Sequence, residues 1–170
     1  RETRRWRPDL EPLPASRSLW VWPEPGQVRV ARWSMLPEAC RITGTQDTPH
    51  DHTVACRSAA LPEPPEGVVM ILDEVHYAKS ASAARTQKAR ALVSRAFARG
   101  GSVWGLSGTP LPNTPRDLWE VLRTLAKVSQ IVAPSWARFS AEFFDWDPAS
   151  GHATGASPDL ARALAHVMTR

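Results

Sequence analysis

Lysine is scarce. The chain has 21 basic residues, and only Lys79, Lys88 and Lys127 are lysine. None of the three follows a glycine, so the chain contains no phosphate-cradling G-x-x-x-x-G-K-S/T loop, which needs that lysine to reach the β and γ phosphates. Cysteine is also rare: Cys40 and Cys56 cannot build a disulfide framework, and a reducing cytoplasm is the expected compartment. No apolar run approaches the roughly 18 residues of a membrane span, so no membrane is expected as a partner. The opening Arg1-Glu2-Thr3-Arg4-Arg5-Trp6 has no apolar core of a secretory signal. It does not begin with methionine, which points to residues upstream.

What is present suits one domain, with or without a short appendage. The 170 residues are 42% apolar and 22% charged, which excludes wholesale disorder. A net charge of +4 fits an anionic partner such as nucleic acid, and equally a soluble protein that prefers arginine. The 16 prolines cluster in 8–25, 37–65 and 110–115, and the first two stretches read as irregular because proline breaks helices and sheet ladders.

Residues 19–22 suggest a short strand, and Val28–Trp33 alternates apolar and basic residues as a strand does. Residues 37–66 read as a long connection. Val68–Leu72 (VVMIL) is a continuous apolar run, the pattern of a strand buried on both faces of a parallel sheet. Residues 81–99 read as a helix capped by Ser80 or Ser82, with Ala89, Leu92, Val93, Ala96 and Phe97 on one face and Gly100-Gly101 as its stop. Ser102–Leu106 reads as a second short buried strand. Thr114-Pro115 opens a helix to Leu125 with Leu118, Leu122 and Leu125 inside. Further helices are expected over 135–145 and 158–168, with a Gly/Ser/Pro loop over 146–156. Alternating strands and helices predict an α/β fold with a parallel sheet and crossover helices.

The sharpest chemical signal is Asp73-Glu74-Val75-His76, directly after the apolar strand. Ligands of open α/β sheets sit at the carboxyl ends of the strands. Two carboxylates there suit nucleotide hydrolysis, one associated with Mg²⁺ through its water shell and one orienting and deprotonating the attacking water. The next strand ends at Leu106, 33 residues on, in Ser107-Gly108-Thr109-Pro110. Small hydroxylated residues and a glycine at that strand end let its backbone approach the neighbouring carboxylates. The plainer readings are an acidic pair that begins a helix, a helix-start histidine, and a tight turn with self-satisfied hydroxyls.

Together, ILDEVHYAKS and LSGTPLPNTPRDLWEVLRTL resemble motifs II and III of superfamily 2 helicases, in particular the Swi/Snf-type branch of DNA translocases. In that branch motif II reads DE-x-H-x-x-K-N and motif III reads L-S/T-G-T-P-x-x-N, followed by a helix bearing leucine and tryptophan. Lys79 and Asn113 stand in the matching places, and Ser80 stands where asparagine is usual. The likeness is strong over 68–126. It is weaker at Glu2–Pro8 (motif Ia), at Val28–Leu36 (motif Ib) and in the C-terminal helix with Met168-Thr169-Arg170.

The resemblance implies a partial RecA-like sheet lacking the P-loop strand. It divides the chain into an irregular N-terminal segment (1–66), a core with both motifs (67–130) and a helical segment (131–170) leading toward a second RecA-like domain. It implies ATP and Mg²⁺ as cofactors, with Asp73 as the Mg²⁺-associated acid and Glu74 as general base. His76 would contact motif III and couple ATP state to DNA, and Ser107, Gly108 and Thr109 would be that coupling motif. Duplex DNA and a second RecA-like domain or complementing chain are the implied partners, in the cytoplasm or at the nucleoid. The chain begins after the place of motif I and ends where the second domain would start, so truncation or a split gene is expected. The isolated chain is then expected to be inactive. The alternative is a non-catalytic DNA- or protein-binding module that keeps the fold.

Arg85, Lys88, Arg95 and Arg99 share one face of the 81–99 helix, where they are either phosphate contacts or a solvated face. Arg4, Arg5 and Arg7 beside Trp6 could grip single strands, but tryptophan next to proline more often packs a loop. Cys40, His50, His52 and Cys56 lack the tight C-x₂-C knuckle of a zinc site, and no zinc is expected.

Overall fold

The computed structural model describes Asp9, the backbone of 11–13, and residues 21–37, 63–108, 114–125 and 135–165. The chain forms two compact units, one from Arg1–Met70 with Ser82–Ser102, the other from Ile71–Ala81 with Val103–Arg170. The architecture is mixed α/β. No helix among the described residues is long and apolar enough to cross a membrane.

In the first unit, β1 (Glu11–Leu13) and β2 (Gln27–Arg29) pair in parallel, with Glu11 opposite Gln27 and Leu13 opposite Arg29. The strand expected over 28–33 is therefore shorter: it ends at Arg29, and Trp33–Met35 is a 3₁₀ turn. Val21 and Trp22 are not in a strand; positions 19–20 lie outside the described residues. The helix α1 spans Ala84–Ala98 and buries Ala89, Leu92, Val93 and Ala96 of the stripe expected from helical spacing, while Phe97, expected with them, is half-buried. Its cap differs from expectation. Ala83 holds the N-cap position with no side-chain hydrogen bond, because the helix starts at Ala84, two residues past Ser82. Gly100 and Gly101 end it, Gly100 at φ +69°, a backbone angle that suits glycine.

Two strands join the units in sequence: β3 (Val69–Leu72) and β4 (Ser102–Gly105), which pair with each other. Ser102 N–H donates to Val68 O and Leu106 N–H to Leu72 O, both at 2.9 Å. The partners climb both chains in step, so the pair is parallel. The expectation that both strands are buried on each face is corrected. Val68 and Leu72 are buried, but Val69 is 60% exposed, Ile71 58% and Trp104 62%. Side chains alternate across a strand, so Val68 and Leu72 share one face and Val69 and Ile71 the other.

The described residues of the second unit include three α-helices: α2 (Pro115–Leu125), α3 (Trp136–Phe143) and α4 (Pro158–Ala165). Leu118, Trp119, Leu122, Phe139, Phe143, Leu160 and Leu164 form its core. Helix starts follow their signals: Thr114 Oγ1 accepts from Asp117 N–H at 3.1 Å, and Ser157 Oγ from Asp159 N–H at 3.2 Å. Residues 144–156 are corrected from helix end and loop to a hairpin. β5 (Phe144–Trp146) pairs antiparallel with β6 (Ala153–Ala156) through a bulge.

The hairpin turn is held by Asp147. Its carboxylate accepts the Ser150 hydroxyl at 2.5 Å and the Ala149 N–H at 3.0 Å. The Ser150 hydroxyl, helped by the Ala149 N–H, holds the Asp147 carboxyl below the usual carboxylate range. A lowered folded-state value stabilises above the unfolded value, and the gain is lost as pH falls through the folded one. The melting-temperature gap between wild type and Asp147→Asn is therefore expected to close as pH falls through and below the usual carboxylate range. A gap constant over that range would remove this account of the turn.

Candidate nucleotide site at the strand tips

β3 ends at Leu72, and the next two residues are Asp73 and Glu74. Asp73 Oδ1 accepts the Glu74 N–H at 2.9 Å, which anchors that carboxylate at the tip. Glu74 has φ 50° and ψ 49°, the one left-handed non-glycine residue among those described. That turn sends Val75 N–H back to Leu106 O at 2.9 Å, tying the end of β3 to the end of β4. A 3₁₀ turn follows over Val75–Ala78, with Val75 and Ala78 buried, and α2 packs against it. Gly105 permits the neighbouring approach: a Cβ there would lie 2.6 Å from Leu125 Cδ1.

These contacts bring His76 to the tip of β4. Its Nδ1 lies 3.1 Å from Ser107 Oγ and 3.2 Å from Glu74 Oε2. Glu74 and Asp73 are exposed, His76 and Ser107 half-buried, and Gly108 is exposed with open space beside its Cα. The acid pair and the hydroxyl-bearing tip are thus adjacent. Thr109 lies outside the described residues, as do Cys40, His50, His52, Cys56 and the Arg4–Arg7 segment.

A serine–histidine–acid relay needs the serine on one ring nitrogen and the acid on the other. Here both meet Nδ1, so this arrangement is not such a relay. Asp73 suits Mg²⁺ chemically: it is an exposed hard-oxygen donor, and Mg²⁺ is usually held by one or two carboxylates together with water and substrate phosphates. Among the described residues no group of three His, Cys, Asp or Glu side chains could hold a metal by itself.

Strain at Glu74 is a signal that composition and spacing do not carry. A left-handed L-residue costs about 1–2 kcal/mol, and glycine returns about 0.5–1 kcal/mol of that through unfolded-chain entropy. Glu74→Gly is expected to raise stability by about 0.5–1 kcal/mol in urea titration, and Glu74→Ala to give no such gain. A lower midpoint for Glu74→Gly would refute the strain argument.

The basic row of α1 is partly engaged. Arg95 Nη1 is 3.1 Å from Glu63 Oε1. Arg85 and Arg99 are exposed and Lys88 is half-buried. Sequence reading also missed Glu120 on α2, which is 2% exposed with Oε1 3.0 Å from Arg116 Nε, while Arg116 lies over the Trp136 ring at 4.9 Å. The ion pair lies within α2, and the stacking of Arg116 on Trp136 joins α2 to α3, away from the strand tips.

No family model matches the chain, and neither a curated protein nor a solved structure does.

Proposed function

We propose that the chain supplies the motif II and motif III half of an ATP pocket, as most of the first RecA-like domain of a superfamily 2 translocase of the Swi/Snf type acting on duplex DNA. The observation that carries this reading is the adjacency of two parallel strand tips, with Asp73 and Glu74 on one, Ser107 on the other and His76 between them. A carboxylate at the tip would hold Mg²⁺ with the phosphates, and the ion would offset phosphate charge. Glu74 would take the proton of the attacking water. Ser107, Gly108 and Thr109 would report the state of the pocket to the DNA-binding surface, to which Arg85, Lys88, Arg95 and Arg99 would contribute.

With no Gly-Lys pair in the sequence, the pocket has no lysine loop for the β and γ phosphates. The isolated chain is therefore expected to release no phosphate from ATP, with or without duplex DNA. The test joins the chain to a segment bearing a Gly-Lys-Thr loop and to a second RecA-like domain. DNA-stimulated phosphate release should then appear, and Glu74→Gln should lower it by about a hundredfold or more, as loss of a general base does. No hydrolysis by the joined protein, or full activity in Glu74→Gln, would end this reading and leave the non-catalytic binding module.

A further inference from the structure

We propose that His76 is a positioning residue whose one ring nitrogen, Nδ1, is contested by Glu74 and Ser107, so that the place of its proton decides whether the Glu74 carboxylate is held or released. The geometry is the contest itself. Glu74 Oε2 at 3.2 Å and Ser107 Oγ at 3.1 Å both face Nδ1. A neutral imidazole carries its proton on one nitrogen only. With the proton on Nδ1, the ring donates to Glu74, and the carboxylate is held at the turn. With the proton on Nε2, the Nδ1 lone pair accepts the Ser107 hydroxyl and faces the carboxylate with like charge density, so Glu74 is free to swing out.

The surroundings favour a local contest. Among the described residues, Glu74 and Ser107 are the polar partners of Nδ1, and the Tyr77 ring lies against the imidazole at 4.8 Å. The two competitors come from different strand tips, so a movement of the β4 tip that turns the Ser107 hydroxyl toward or away from His76 is read at Glu74. The consequence for hydrolysis rests on the ATP-pocket reading: Glu74 would act as a base only when Ser107 has taken Nδ1. The contest does not rest on that reading, and it is tested without nucleotide.

The test is the tautomer ratio of His76, from ring-nitrogen chemical shifts of the full chain labelled at histidine, at a pH where the ring is neutral. His76 is assigned by the signal lost in His76→Asn. Ser107→Ala removes the donor to Nδ1 and should raise the Nδ1–H fraction. Glu74→Gln weakens the acceptor and should raise the Nε2–H fraction. Each change in ratio should be about two- to tenfold, the range one hydrogen bond supplies. Ser107→Thr keeps the hydroxyl and should restore the wild-type ratio, which guards against a variant that merely loosens the turn. Shifts in opposite directions support the contest; equal ratios in all variants, or shifts in the same direction, overturn it.

Discussion

Phe139→Ala is expected to remove about 3–5 kcal/mol of stability from the second unit. Phe139 is fully buried at the centre of an aromatic cluster. Its ring centroid lies 5.0 Å from Trp119, 5.4 Å from Phe143, 5.6 Å from Phe144 and 6.1 Å from Trp136, all in tilted arrangements. Truncation forfeits the transfer energy of the ring and leaves a cavity whose walls are stiff rings borne on α2, α3 and β5, which cannot collapse inward easily. Such a loss is a large part of a domain's usual 5–15 kcal/mol. The urea midpoint followed by fluorescence of Trp119, Trp136 and Trp146 is the measurement. Phe139→Leu should lose well under half as much, since it keeps most of the volume. A loss below about 1 kcal/mol for the alanine variant, the size of an average substitution, would mean that the ring is not the centre of this core.

Gly101→Ala is expected to cost roughly 3 kcal/mol, at the upper end of overpacking effects. The added Cβ would stand 2.5 Å from Val68 O, 2.8 Å from Ala96 O and 2.9 Å from Val68 Cγ1. Two of these atoms are backbone and cannot rotate away. Both also accept hydrogen bonds here: Ala96 O from Gly101 N–H at 2.8 Å, and Val68 O from Ser102 N–H at 2.9 Å. Relief of the clash therefore breaks either the end of α1 or the start of the β3–β4 ladder. Faster amide exchange at position 101 and at Ser102, with a lower melting temperature, is the expected result. Stability within about 0.5 kcal/mol of wild type, the range of an inert surface change, would overturn it.

Both predictions concern features that the sequence carries unequally. The apolar stripe of α1 is legible because helical spacing places Ala89, Leu92, Val93 and Ala96 on one side whatever they meet. The starts of α2 and α4 are legible because Thr114-Pro115 and Ser157-Pro158 state their caps locally. The hairpin over 144–156 was not, because Phe144 and Trp146 continue the apolar pattern of the helix before them. What ends that helix is the Asp147 turn together with pairing to β6. Exposure of Val69, Ile71 and Trp104 was hidden for a related reason: a run such as VVMIL shows that burial is available, not how many layers exist to supply it.

The strand-tip cluster divides the same way. Sequence alone establishes that an acid pair and a histidine follow one apolar run, that Ser107 and Gly108 follow another, and that no Gly-Lys pair exists anywhere in the chain; these are facts of composition and order. Three further facts belong to tertiary structure: that Glu74 adopts a left-handed turn, that Val75 N–H reaches Leu106 O, and that one nitrogen of His76 faces both Glu74 and Ser107. Each depends on the parallel registration of two strands whose tips lie more than thirty residues apart in the chain, and such pairing is set by long-range packing, which local propensity does not encode.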